Sequence, residues 1–205
     1  AAAAKAAAAG KPIVAYKIGR SEAGAQAAAS HTGAMAGSDR AYDAFFRETG
    51  VIRATAFADL LDVPLALAQD RRLRGQRVAI LTSTGGAGTL ISDNLGLHGF
   101  ETPPPDPATA DRLRALQTGD EAVLDRNPID VTLAGLQPDV LRGAISALLD
   151  SPIYDALAIV VGSSAVGAPA LMADAIAACM TGSDKPLIAY VSPHAPAAAA
   201  LLTAR

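Results

Sequence analysis

The chain has 205 residues, a hydrophobic fraction of 51% and a formal net charge of −3. That length and apolar content suffice for one large domain or two small ones with a buried core. Tryptophan is absent and aromatic residues make up only 4% of the chain. Nucleic-acid binding is therefore not expected, because it needs a basic surface and aromatic side chains on which bases stack. No apolar run is long enough for a transmembrane helix, so no membrane association is expected either.

The single cysteine indicates the redox compartment of the protein, and the first ten residues indicate how the sequence begins. Cys179 cannot form an internal disulfide and lies in an apolar run, so we expect a small buried side chain in a cytoplasmic protein. The sequence begins at Ala1 without methionine, which predicts a piece of a longer protein. Residues 1–10 are alanine-rich and are interpreted either as a helix that ends at Gly10 or as poorly identified residues.

Two short segments of the chain repeat each other. Residues 10–16 (GKPIVAY) closely match residues 184–190 (DKPLIAY), and a helix-like segment precedes each. Proline cannot continue a helix but tolerates the first position of a strand, so each copy predicts a helix, a turn and a buried strand. The repeat indicates two related α/β units, although a chance match of so short a motif is the alternative.

The first unit is predicted to span residues 1–70. A helix is expected over residues 40–49, because Gly50 is a typical C-terminal stop, and a short strand follows at residues 51–52. Another helix is expected over residues 56–67, with Pro64 kinking or ending it. The charged stretch that follows marks a domain boundary, and residues 71–77 are interpreted as a linker.

The second unit is predicted to span residues 78–205 and to alternate strands with helices. Continuous apolar strands separated by helices are typical of a parallel sheet that is covered on both faces. The predicted fold class is therefore α/β: a flavodoxin-like domain with helices on both faces of the sheet, preceded by the partial end of a second similar domain. The predicted strands are 78–81, 155–161 and 187–191, and the predicted helices are 88–98, 108–117, 138–149, 168–180 and 196–202.

The first candidate for chemistry is the small, polar, glycine-rich segment of residues 19–37, which directly follows a strand. We predict a loop beyond the carboxyl end of that strand, where ligands bind in open α/β sheets. It contains Ser30, His31, Thr32 and Gly33 in succession. A neutral imidazole can be a nucleophile, and a loop can move it between sites. The alternative is a surface loop with an incidental histidine.

The second candidate is the run of residues 81–90, in which a strand leads into a glycine-rich turn and then a helix. Free backbone N–H groups and the helix dipole at such a turn form an anion site. The run is neither a Walker A loop nor a dinucleotide-binding fingerprint. A tight turn that needs glycine for packing is the alternative. The candidate phosphate-binding residues are Ser83, Thr84, Gly85, Gly86, Ala87 and Gly88.

The third candidate is the segment of residues 127–132, where Asn127 and proline favour a turn and Asp130 follows. It is interpreted as a structural turn or, less favoured, as the wall of an active site. His98 suits a helix C-terminus, and His194 suits the capping region of a helix start. The three histidines show no ligand spacing, so no metal site is predicted.

Taken together, these residues resemble the NDP-forming acyl-CoA synthetases, the superfamily of ADP-forming acetyl-CoA synthetase and succinyl-CoA synthetase. Residues 17–24 (KIGRSEAG), 29–34 (ASHTGA) and 37–39 (GSD) are similar to the phosphohistidine segment of the acetyl-CoA synthetase branch. Residues 82–88 and 127–131 resemble landmarks of the C-terminal flavodoxin-like domain of that family. The resemblance covers nearly the whole chain beyond the first ten residues.

The resemblance implies an acid–CoA ligase in which His31 passes a phosphoryl group between an acyl phosphate and a nucleoside diphosphate. It implies that the helix start after residues 83–88 is one of two that hold this group. The second helix start, and the glutamate that orients the histidine, are expected upstream of Ala1, and neither Glu22 nor Asp39 can be assigned to that role. Further candidate supporting residues are Ser30, Thr32, Gly33, Asn127 and Asp130.

The resemblance also implies partners that this sequence does not contain. CoA and ATP or ADP with Mg would be bound mainly by other domains or a subunit, so this segment alone is expected to be inactive and the parent protein to be an oligomer. The substrate would be a small carboxylic acid. One alternative is a non-catalytic segment, fused to an acetyltransferase, that senses acyl-CoA or a small ligand. The other is an unrelated doubly wound binding module.

Overall fold

The computed structural model describes residues 2–32, 37–68, 71–116, 124–192 and 195–204. The chain separates into two compact units, Ala1–Asp70 (unit 1) and Arg71–Arg205 (unit 2). Over the described ranges, no helix combines the length and the hydropathy that crossing a membrane requires.

Unit 1 is built around two short parallel strands, β1 (Val14–Tyr16) and β2 (Ile52–Ala54). The helix before β2 ends at Gly50 as predicted: Gly50 has a φ of 70°, and its N–H donates to the carbonyl of Phe46. Pro64 lies inside the last helix of this unit and does not end it. The helices are α1 (Ala2–Ala8), α2 (Glu22–Thr32), α3 (Asp39–Thr49) and α4 (Asp59–Ala68).

The segment after β1 is helical where the sequence predicted a loop. Helix α2 begins after Ser21, whose hydroxyl accepts the N–H of Gly24 at 3.1 Å and so caps the helix. The prediction weighed the glycines of this segment above its alanines, although alanine is the strongest helix former. His31 therefore lies in the last turn of a helix.

Unit 2 contains a sheet of four parallel strands in the order β4-β3-β5-β6. Its strands are β3 (Val78–Thr82), β4 (Ile129–Asp130), β5 (Ala156–Val161) and β6 (Leu187–Val191). The three longer strands confirm the prediction, whereas β4 was missed because two residues carry no periodic signal. The helices are α5 (Gly85–Leu97), α6 (Pro107–Arg114), α7 (Pro138–Asp150), α8 (Ser164–Gly167), α9 (Pro169–Met180) and α10 (Pro196–Ala204).

The core of unit 2 lies where helices α7 and α9 pack on the sheet. All five residues of β3 are buried. Helix α7 contributes Leu141, Ile145 and Leu148, each at most 1% exposed. Their spacing of four and three residues places them on one face of the helix. The sheet that carries the candidate site is therefore held by a continuous apolar layer.

Residues 71–77 belong to unit 2, where the sequence predicted a linker. The guanidinium of Arg71 donates to three backbone carbonyls within Met180–Lys185, at the end of α9. Arg77 makes a two-pronged ion pair with Asp155, with both nitrogen–oxygen distances at 3.0 Å. The arginines that suggested a solvated linker are thus paired with carbonyls and a carboxylate of unit 2.

Candidate functional site

The carboxyl edge of the unit 2 sheet brings three connections together. From β3 the chain crosses to β4 on one side, whereas β5, on the other side of β3, leads on to β6. The connections therefore diverge between β3 and β5. Ligands of open α/β sheets bind at such a reversal, in the crevice outside the strand ends. The residues at this edge are Ser83 and Thr84 after β3, Asp130 at the end of β4 and Gly162–Ser164 after β5.

Helix α5 begins at Gly85, three residues earlier than predicted, with Thr84 as its N-cap. The carbonyl of Thr84 accepts the N–H groups of Ala87 and Gly88, both at 3.1 Å. The N–H groups of Gly85 and Gly86 have no acceptor within the described part of the chain, and both residues are exposed. Free N–H groups at the positive end of a helix dipole attract anions. The predicted anion site covered residues 83–88. Within it, the backbone donors that remain available are the N–H groups of Gly85 and Gly86.

Two hydroxyl groups extend this turn toward β5. Ser83 is only 8% exposed, yet its hydroxyl is open to solvent and has no hydrogen-bond partner among the residues described. A Cβ built on Gly162 would lie 3.4 Å from Ser83 Oγ and 2.9 Å from Thr84 Oγ1. Both hydroxyls therefore face the end of β5. Glycine at position 162 therefore lets the end of β5 approach these two hydroxyls closely.

Asp130 ends β4 beside the same helix start. Its Oδ2 atom lies 3.2 Å from the position of a Cβ built on Gly85. Its Oδ1 atom accepts the N–H of Thr132 at 2.9 Å. Thr132 has a φ of 56°, a left-handed conformation that β-branched residues rarely adopt. The hydrogen bond from the Thr132 N–H orients the Asp130 carboxylate. Asp130, a candidate supporting residue from the sequence, thus lies next to Gly85.

Two other predicted site residues have structural roles. A Cβ on Gly88 would lie 3.0 Å from Pro128 Cβ and from Thr82 Cγ2, so glycine here allows α5 to pack closely on the strands. The Asn127 side chain accepts the N–H of Ile80 at 2.9 Å. It therefore fastens the chain before β4 to the middle of β3 and does not line the crevice.

His31 belongs to unit 1 and is exposed in the last turn of α2. An eleven-residue helix is about 16 Å long, so His31 lies about one helix length from the strand end. The sequence predicted it near the C-terminal end of a loop that follows the strand. The hydroxyl of Ser30 donates to the carbonyl of Ala27 at 2.8 Å, within the same helix. Gly33 and the side chain of Thr32 lie outside the described residues.

Sequence reasoning missed Lys17, which is 8% exposed at the end of β1. Its ammonium donates to the carbonyls of Ile18 and Gly19, at 2.7 and 3.2 Å, and lies 5.0 Å from the centre of the Tyr42 ring. Lysine is almost never buried without partners. Here it closes the turn that leads into α2, where Gly19 has a φ of 75°. The only signal in the sequence was a lysine directly after a strand and shortly before a glycine.

The remaining residues singled out from the sequence lie away from the crevice. His98 Nδ1 donates to the carbonyl of Asn94 at 2.8 Å at the end of α5, as expected of a residue at a helix terminus. His194 falls outside the described residues. Cys179 is half-buried and not fully buried as predicted, and its sulfur lies 3.5 Å from Ser146 Oγ. Across the described ranges, no cluster of three or more carboxylate, imidazole or thiol groups could hold a metal ion.

Known proteins with similar sequences and structures match both units. A family model, the succinyl-CoA ligase like flavodoxin domain, matches residues 1–67. The alpha subunit of ADP-forming acetate–CoA ligase II from Pyrococcus furiosus is 37% identical over 147 residues, which are 72% of this chain and 31% of that subunit. The alpha subunit of ligase I from the same organism is 33% identical over 186 residues, 88% of this chain and 39% of that subunit. The chain belongs to the NDP-forming acyl-CoA synthetase superfamily.

A solved structure supports the same assignment for the fold of this chain. The dinucleotide-forming acetyl-coenzyme A synthetase 1 of Ca. Korarchaeum cryptofilum, in complex with phosphate and ADP, aligns with a TM-score of 0.75 and 32% identity. The alignment covers 93% of this chain and 41% of that one. The flavodoxin-like α/β class predicted from the sequence is thereby confirmed. The chain spans less than half the length of these relatives.

Proposed function

We propose that this synthetase chain is part of an NDP-forming acid–CoA ligase in which His31 carries the phosphoryl group. The observation that carries the proposal is an exposed histidine in a segment similar to the family's phosphohistidine segment. In the direction that forms the nucleoside triphosphate, the imidazole nitrogen takes the phosphoryl group from the acyl phosphate, and the carboxylic acid leaves. An oxygen of the nucleoside diphosphate then displaces the imidazole from phosphorus.

Unit 2 would supply an anion site for the phosphoryl group. Gly85 and Gly86 offer two backbone N–H groups, and Ser83 offers a hydroxyl that faces the same crevice. Hydrogen bonds to a charged group are worth about 1.5–3 kcal/mol each, more than those between neutral partners. The site needs no lysine or arginine to hold a phosphoryl oxygen, because the helix dipole adds its positive end.

CoA, the nucleotide and its magnesium ion are assigned to other parts of the protein. The described residues contain no cluster of three or more metal-ligating side chains. The chain spans 31% and 39% of the two Pyrococcus furiosus alpha subunits, which supports binding of these groups by segments outside it. We propose a small carboxylic acid as the substrate and an oligomer as the assembled enzyme.

The test is phosphorylation of the full-length protein that contains this chain. Incubation with ATP labelled at the terminal phosphate should yield a protein-bound label that is stable to base and labile to acid. His31→Ala should abolish the label without unfolding the protein, because His31 is exposed. The matched control is His98→Gln, which changes another exposed histidine at the end of a helix and should keep the full label.

Label that persists in His31→Ala would overturn the carrier role. A wild-type protein that forms acyl-CoA but never becomes labelled would overturn it as well. A wild-type protein that binds acyl-CoA without label or turnover would instead support a sensing segment.

A further inference from the structure

We infer that Asp130 makes the anion site of unit 2 selective for a phosphoryl group that carries a proton. Such a group includes hydrogen phosphate and a protonated phosphoryl ester or phosphoramidate, and it excludes sulfate. The inference rests on the proposed function and deepens it, because it names the protonation state of the group that Gly85 and Gly86 bind.

The helix start is supported as a site by a second, independent group. Ser83 is more than nine-tenths buried, and its hydroxyl has no partner among the described residues. This hydroxyl and that of Thr84 face the position above Gly162, where any side chain would come within 3.4 Å of Ser83 Oγ. Two free N–H groups and a hydroxyl without a partner among the described residues therefore lie together at the start of α5. That arrangement suits an oxyanion with several acceptor oxygens.

The charge around this crevice is negative. The connections that form it, residues 82–89, 130–135 and 162–167, contain one charged side chain, that of Asp130. Of the other charged residues on the strands and helix packed around Asp130, Arg77 and Arg126 precede β3 and β4 at the opposite edge of the sheet. Asp93 lies more than two turns further along α5. Among the described residues of these three connections, no cation offsets the carboxylate.

Because of the position of the Asp130 carboxylate, its charge discriminates between anions that carry a proton and anions that do not. Thr132 donates to Oδ1, whereas Oδ2 lies toward Gly85 and has no donor among the residues described. An anion bound at Gly85 and Gly86 would bring bare oxygens against Oδ2 and be repelled. A phosphoryl group with one proton can instead donate its P–O–H to Oδ2, which converts the repulsion into a charge-assisted hydrogen bond. Sulfate has no proton to donate at neutral pH.

The experiment compares inorganic phosphate with sulfate as ligands of the 205-residue chain by isothermal titration calorimetry. We expect the wild type to prefer phosphate by about tenfold or more, the size of one hydrogen bond to a charged group. Asp130→Asn should lower that ratio to within about threefold, mainly by tighter sulfate binding. Asparagine keeps an oxygen for the Thr132 N–H, so the turn should persist. Asp93→Asn, which removes the same charge from an exposed position on α5, should keep the wild-type ratio.

A second measurement needs no variant. In the wild type, the affinity for a phosphate monoester such as methyl phosphate should fall as pH rises through the second pKa of the ester, because its only P–O–H proton is then lost. An affinity that rises with pH, or equal binding of phosphate and sulfate by the wild type, would overturn the role of Asp130 and leave the anion site standing. Failure of both ligands to bind would overturn the anion site itself, and with it the inference. The labelling test of His31 is independent of all these outcomes.

Discussion

The two units differ in how much apolar surface they bury. In unit 1 the buried residues among those described are Lys17, Phe46 and Ala54, and Leu61 on α4 is 73% exposed. In unit 2 one apolar cluster joins the strands to helices α7 and α9. A two-stranded sheet has too little surface to build a core, whereas four strands with helices packed on them do. Helices and strands can thus form locally in both units, but only unit 2 has a layer that holds them together.

The two proposed functional features lie in units that differ in buried apolar surface. The proposed carrier residue, His31, lies at the exposed end of a helix in the unit with little core. The proposed anion site at Gly85 and Gly86 lies at the carboxyl edge of the buried sheet of unit 2. A carrier has to move, and regions with few buried contacts open most easily. A binding site benefits from a scaffold that keeps its donors in place.

The largest expected effect is on the core of unit 2. Leu141→Ala removes a fully buried side chain of α7 and should lower the free energy of unfolding by about 2–5 kcal/mol. Urea unfolding followed by far-UV circular dichroism measures it. A loss below about 1 kcal/mol would show that unit 2 repacks around the cavity, and would weaken the contrast between the units.

A smaller effect concerns the acid stability of unit 2. Asp106 caps α6 by accepting the hydroxyl and the N–H of Thr109, and these bonds lower its pKa to about 2. An unfolded aspartate titrates at about 3.9, so the ionised form stabilises the fold above that pH, and the contribution is lost as pH falls toward about 2. Asp106→Asn should flatten the decline of the unfolding free energy over this window. Asp93→Asn on α5 is the charge control, and an unchanged slope in Asp106→Asn would contradict the role of the cap.

The smallest effect is expected in unit 1. Leu61→Ser changes an exposed side chain of α4 and should shift the free energy of unfolding by no more than about 0.5 kcal/mol. The same urea titration as for Leu141→Ala makes the two values comparable. A loss above about 2 kcal/mol would mean that this face of α4 is covered in solution, and the difference in burial between the units would then be smaller than the structure indicates.

Periodic or continuous apolar patterns predicted most of unit 2. The strands β3, β5 and β6 and the helix α7 follow from runs and spacings that local sequence displays directly. Patterns failed where the signal was weak or ambiguous. The segment of residues 19–37, which contains α2, carries glycines that favoured a loop, and β4 is too short to show a period. Residues 71–77 are charged like a linker, but their charges pair with groups far away in the sequence.

By itself, the sequence determined that His31 stands in a segment similar to a phosphohistidine segment and that a strand leads into a glycine-rich helix start at residues 82–88. These features depend on neighbouring residues alone. Only the tertiary structure decided that Asp130 borders Gly85, that Gly162 faces the Ser83 hydroxyl, and that two of the predicted N–H donors are already used. Those contacts join residues far apart in the chain, and they arise from the register of parallel strands, which no local pattern encodes.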